Sequence, residues 1–155
     1  MSNDAMSNED VADELNDLIE TCKDGEYGFR ACAEHTKSEE LRSMLTQRAA
    51  ECEQGARELQ ALVVQCGGKA DSSGTATGAM HRGWVAVRGT LSGYSDQAML
   101  DECERGEDAA VARYRDVLEE DLPPQVKNVV ERQYLGVKRN HDLIRARRNQ
   151  LKAAS

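Results

Sequence analysis

Two prolines and one tryptophan are all that this 155-residue chain contains of either residue. With so little proline, long segments hold nothing that breaks a helical ladder. No run of β-branched residues alternates with polar ones, which argues against a sheet. No stretch approaches the ~18 consecutive apolar residues of a membrane span. The opening MSNDAMSNEDVADEL is acidic and polar, unlike a secretion signal, so a cytoplasmic location is expected. Positive charge is in deficit: 20 Lys and Arg against 28 Asp and Glu leave a formal charge of −8. That balance argues against binding to nucleic acid or to an anionic membrane. The G-x-S-x-G, P-loop and Rossmann glycine patterns are all missing. The five cysteines, Cys22, Cys32, Cys52, Cys66 and Cys103, are odd in number and form no C-x-x-C pair. In a reducing compartment they read as free buried thiols, not disulfides.

What the chain does have is charge and helix-forming residues. Charged residues make up 31 % of it, and Ala, Glu, Arg and Leu recur, the composition of an all-α domain. Residues 1–7 read as a disordered N-terminus and residues 8–153 as one bundle domain. The first helix, 8–37, starts on a Ser7 or Asn8 cap with Glu9 and Asp10 in its first turn. Its inner stripe is Val11, Leu15, Leu18, Cys22, Gly25 and Phe29. Glycine inside a helix costs about 1 kcal/mol against Ala, so Gly25 and Gly28 point to a close helix–helix approach. The second helix, 38–66, starts at Ser38 and ends at Gly67-Gly68, with Leu41, Leu45, Ala49, Cys52, Ala56, Leu59 and Val63 inward. The third, 95–122, runs inward through Met99, Cys103, Gly106, Ala110, Tyr114 and Val117 and stops at Pro123-Pro124. The fourth, 124–153, starts on a tolerated first-turn proline and turns Val126, Val130, Gln133, Val137 and Ile144 inward.

The connector 67–94 is far longer than the 2–8 residues usual between adjacent bundle helices. It opens with GGKADSSGTATGAM and continues into a short apolar segment around Trp84, which would pin it to the bundle's side. Two hairpins joined by one long crossover between helices two and three make the ferritin-like four-helix bundle. Four segments carry a further likeness: LNDLIETCKDGEYGF (Leu15–Phe29), HRGWVAVRG (His81–Gly89), CERGEDAAVARYRDVLEEDLPP (Cys103–Pro124) and VERQYLGVKRNHD (Val130–Asp142). On these the chain resembles a bacterial family of uncharacterised four-helix-bundle proteins, a domain of unknown function in the ferritin-like superfamily. The resemblance implies a fold and no settled activity. LNDLIETC also resembles the first ferritin-like helix, with Cys22 where that helix's Glu ligand is expected.

Ferritin-like di-iron proteins use Glu from two helices and a Glu-x-x-His pair from each of the others. Cys32, Gly78 and Lys138 stand three residues before His35, His81 and His141, so the pair is absent. Folding helix one onto two about residues 37–38 levels Cys22 with Cys52. Folding helix three onto four levels Cys103 with His141. The crossover makes helices two and three parallel and sets Cys52 and Cys103 at similar depth. The central layer then draws on Cys22, Glu26, Glu51, Cys52, Cys103, Glu107 and His141. Small thiols filling a bundle without its metal site are the simplest interpretation. Alternatives are a soft-metal or redox thiol site that would take zinc, and a residual carboxylate site for iron that also draws on Glu104. No metal or cofactor is expected, and no catalytic residue. Glu104, Glu107 and Asp108 read as a solvated acidic face, and Arg30 and Arg48 as partners for Glu26 or Glu51 across the first hairpin.

Residues 1–40 hold twelve acids and three bases, residues 122–155 eight bases and two acids. The tail RARRNQLK (Arg145–Lys152) reads as a solvated helix end or a partner for an acidic helix of a second copy. The expected function is non-enzymatic: a ferritin-like bundle, a homodimer, acting through protein contacts. Metal binding with iron oxidation or storage, and thiol-based sensing, stand as alternatives.

Overall fold

The computed structural model describes residues 6–70 and 95–154. They form four helices: α1 (Asn8–His35), α2 (Glu39–Gln65), α3 (Asp96–Leu118) and α4 (Pro124–Ala154). The first three start on serines. The hydroxyls of Ser7, Ser38 and Ser95 accept from the amides of Asp10, Leu41 and Ala98 at 3.0, 3.2 and 3.1 Å, meeting a donor that the first turn leaves over. Between α1 and α2 the Thr36 hydroxyl accepts from the Ser38 amide at 3.1 Å and donates to Asp96 at 2.9 Å. Arg42 donates back to the carbonyls of Ala33 and Thr36, which ties this short turn to the start of α2. At the end of α2, Gly67 takes φ 77° and the Gly68 amide donates to the Val63 carbonyl at 3.0 Å, a Schellman closure that favours glycine.

Two ends differ from expectation. Met6 packs against the core and Ser7 caps α1, so residues 6 and 7 belong to the bundle. The third helix stops at Leu118, not at 122. A residue before proline avoids the helical region, so the chain leaves the helix early and uses 119–123 to turn.

The helices occupy the corners of a square. α1 packs on α2 and α3, and α4 on α3 and α2, while the pairs α2/α3 and α1/α4 face each other across the diagonals. Side-chain pairs fix the directions. Cys32 meets Cys103 and Cys22 meets Tyr114, so α3 is antiparallel to α1. Glu58 meets Arg132 and Glu51 meets Asn140, so α4 is antiparallel to α2. α2 and α3 are therefore parallel, and the link between them has to travel the bundle's length. Most of that link, with its expected anchor Trp84, lies outside the described residues.

Two apolar clusters fill the interior, one around Leu15, Leu18, Leu59 and Tyr114, the other around Phe29, Leu45, Met99 and Leu100. The close approach expected at Gly25 is present: a Cβ there would lie 2.9 Å from the Cys52 sulfur. Gly25→Ala should therefore destabilise the bundle by ~1–3 kcal/mol through overpacking. In a Cys52→Ala background the same change should become neutral or favourable, since Ala is the better helix former by about 1 kcal/mol. Urea denaturation of the double-mutant cycle checks both.

Candidate functional site

α2 and α4 meet along a polar seam rather than an apolar one. Arg132 donates to Glu58 at 2.7 Å, Asn140 donates to Glu51 at 3.0 Å, and Gln125 donates to Gln65 at 3.4 Å. These long side chains hold the two helices apart, and a cavity of about 380 Å³ opens between them at mid-bundle. Its interior is lined by the Cys22 and Cys52 thiols, Arg48, Glu107, Tyr114 and Gln133.

Arg48 of α2 reaches across the diagonal to Glu107 of α3. Its Nε and Nη2 donate to the two carboxylate oxygens at 2.9 and 3.0 Å, a bidentate pair. The side chains are only 9 % and 2 % exposed. The guanidinium also lies over the Phe29 ring, 5.6 Å from its centroid. Its third nitrogen, Nη1, is 3.7 Å from Glu51, beyond hydrogen-bonding reach. Burial pushes the Glu107 carboxyl up, and Arg48 pulls against that shift.

A hydrogen-bond relay crosses the same level. The Gln133 amide donates to the Gly55 carbonyl at 3.3 Å and to Glu58 at 3.0 Å, which turns its oxygen toward Tyr114. The Tyr114 hydroxyl donates to that oxygen at 2.8 Å, leaving the Cys22 thiol, 3.3 Å away, to donate to the hydroxyl. Burial pushes the Cys22 thiol up to about 11, against the pull of that bond. Burial raises Cys52 as well, so both thiols are protonated at neutral pH and are poor nucleophiles and ligands. Glu58, held by Arg132 and then Gln133, stays below the usual carboxylate range.

The expected central layer is only partly assembled. Cys22, Cys52 and Glu107 come together around the cavity, with Glu51 at its half-exposed rim. Cys103 does not join them: it lies in the second apolar cluster, 3.6 Å from the Cys32 sulfur. Glu26 pairs with Arg30 on its own helix at 3.3 Å. His141 faces α3, its ring nitrogens between Asp108 and Asp142. Glu104 and Glu107 are not a solvated face. Both are buried: Glu104 is held by Arg145 and Arg148, Glu107 by Arg48. The basic tail is thus engaged within its own chain, and Arg147 adds a 2.8 Å pair with Glu40. Tyr114 and Gln133 were legible as inner-stripe positions, though not as a relay. The pairing of Cys32 with Cys103 and that of Arg48 across the diagonal carried no local signal.

The family model for a domain of unknown function, DUF2383, matches residues 10–120. The chain belongs to this family. No curated protein sequence matches it. Among solved structures, a mutant of Dps1 from Mycobacterium smegmatis is similar in fold, with TM-score 0.73 at 17 % identity over 95 % of this chain and 99 % of that one. The fold of this DUF2383 protein is a ferritin-like four-helix bundle.

Ferritin-like folds can hold metal in the bundle core, so the donor set has to be tested against that role. It does not fit a di-iron centre. Glu107 is bound to a guanidinium, Glu26 is paired with Arg30 on its own helix, Glu51 accepts from Asn140 at the cavity rim, His141 is turned between two aspartates, and the thiols are protonated. Among the described residues, no group of three or more His, Cys, Asp and Glu side chains is placed to hold a metal ion.

Arg48→Met should cost ~3–5 kcal/mol, because it leaves Glu107 buried without its cation. With Arg48 gone, burial is the largest influence left on Glu107, and its folded pKa lies above its unfolded value. The folded state then binds the proton more tightly, so the variant's stability is fullest below the unfolded pKa and falls as pH rises through the folded one. Denaturation of the variant at pH 4.5 and 7.5, against wild type, measures this. Adding Glu107→Leu should restore most of the loss. Native protein treated with a thiol reagent at pH 7.5 should show one fast cysteine, the partly exposed Cys66. The buried Cys22, Cys32, Cys52 and Cys103 should react only on unfolding.

Proposed function

We propose that this DUF2383 chain is a non-enzymatic, metal-independent bundle that acts through protein contacts in the cytoplasm, with a second copy of itself as the first partner. The observation that carries this reading is the buried Arg48–Glu107 pair. At the level where the fold can hold metal, the deepest carboxylate already has a permanent internal cation. Contact through an outer face is supported by Leu135 and Leu143 on α4, which stand 60 % and 52 % exposed and two helical turns apart. Among the described residues no helix is long and apolar enough to cross a membrane.

A second reading, a thiol-based sensor, is favoured by one distance, the 3.6 Å between the Cys32 and Cys103 sulfurs. Metal analysis and sedimentation separate the two. Protein purified without chelator, then loaded with Fe(II) or Zn(II), should retain no stoichiometric metal. Sedimentation should give a dimer that Leu135→Glu with Leu143→Glu dissociates. Iron near about two per chain, the content of a di-iron site, would overturn the proposal, as would a monomer at every concentration. Zinc near about one per chain, lost in Cys103→Ala, would favour the thiol reading.

A further inference from the structure

Protein interiors pack to crystal density, so a 380 Å³ cavity at mid-bundle needs a cause. Two are visible. The seam side chains span the gap between α2 and α4, and the walls are built from small residues, Gly55, Gly106, Gly136 and Ala110. At Gly136 a Cβ would meet only the Arg139 guanidinium, at 3.8 Å, so there is room beside this glycine. The volume falls in the range of small-molecule sites, which are mostly apolar with a few placed polar groups.

The lining specifies the ligand's chemistry. Tyr114 and Gln133 are saturated by the relay and offer no donor. Arg48 does offer one. Its side chain is nine-tenths buried, and among the described residues Nη1 has no acceptor within hydrogen-bonding distance, Glu51 being 3.7 Å away. This cationic N–H at the cavity wall favours an acceptor oxygen. Charge then limits what carries that oxygen. The lining has three arginines, Arg48, Arg132 and Arg139, and three glutamates, Glu51, Glu58 and Glu107. Glu58 and Glu107 are already matched to Arg132 and Arg48. A carboxylate ligand would compete with Glu107 for the same guanidinium, and a cation would stand beside Arg48. We infer that this cavity binds a small uncharged organic molecule, mostly apolar, whose carbonyl or hydroxyl oxygen accepts from Arg48 Nη1. Its body lies against Cys22, Cys52, Ala110 and Val137.

The test is a titration of the full-length, ¹⁵N-labelled chain with three probes of similar size: acetophenone, ethylbenzene and benzoate. Acetophenone should shift α2 and α4 amide resonances saturably. Ethylbenzene, which lacks the oxygen, and benzoate, which carries the charge, should each bind about tenfold more weakly or less, the scale of a hydrogen bond from a charged donor. Gly136→Leu should fill the space and abolish acetophenone binding while the helical circular dichroism is retained, and Gly136→Ala should leave binding in place. The inference is overturned if wild type shows no saturable shift with acetophenone, if benzoate or ethylbenzene binds as tightly, or if a folded Gly136→Leu binds acetophenone unchanged. The comparison of probes on wild type decides the matter even if Gly136→Leu does not fold.

Discussion

A guanidinium and a carboxylate that meet across the diagonal of a four-helix bundle constrain everything around them. α2 and α3 do not pack on each other, yet Arg48 and Glu107 join them through the centre. Taking both charges out of water costs several kcal/mol each, which is offset only if the geometry is bidentate and the groups stay in register. A slide of α3 by one turn would separate them and leave two buried charges. The pair therefore fixes the depth of α3 against the first hairpin and places Tyr114 opposite Cys22. It also sets the width of the cavity, since Arg48 must cross it rather than fold back onto α2. An apolar pair of equal volume could match its stability. What such a pair would not supply is this registration.

The relay at the same level completes the layer. Cys22 lies on α1, Tyr114 on α3, Gln133 on α4, and Gly55 with Glu58 on α2, so one chain of hydrogen bonds touches all four helices. Each buried polar atom in it has a partner, which turns a costly set of groups into one that selects a single packing. Close contact on the α1–α2 side has the opposite character: Gly25 and Gly55 let the thiols of Cys52 and Cys22 lie against the facing backbone. The bundle is thus tight between α1 and α2 and propped open between α2 and α4.

Much of this architecture was legible in the sequence, for identifiable reasons. Serine caps, apolar stripes and the Gly67 stop locate the helices because those signals are local. A three-residue turn fixes the offset between α1 and α2, so counting from residues 37–38 correctly levels Cys22 with Cys52. The long connector implied parallel α2 and α3 for the same topological reason. Counting fails across that connector, because its length does not set the depth at which α3 begins. Cys103 accordingly lies beside Cys32 rather than in the central layer, and Glu107 takes the place expected for a thiol. Glu104 was read as surface because Arg145 and Arg148, 41 and 44 residues further on and on another helix, carry no local pattern linking them to it. Gln133 was a polar residue on an inner stripe, and that anomaly was an available sign of a buried network.

The same ion pair bears on what the scaffold can do. A metal ion at Glu107 would have to displace Arg48 or sit beside it. Neither Glu51 nor Glu104 would replace Glu107 as a partner for Arg48: Glu51 is 3.7 Å away and half-exposed, and Glu104 is held by Arg145 and Arg148. A divalent ion 4 Å from a retained guanidinium would be repelled by about 8 kcal/mol at an effective dielectric of ~20. The thiols would also have to lose protons that burial holds in place before they could bind it. An internal cation and a di-iron centre compete for one layer of the bundle, and in this structure Arg48 holds the carboxylate there.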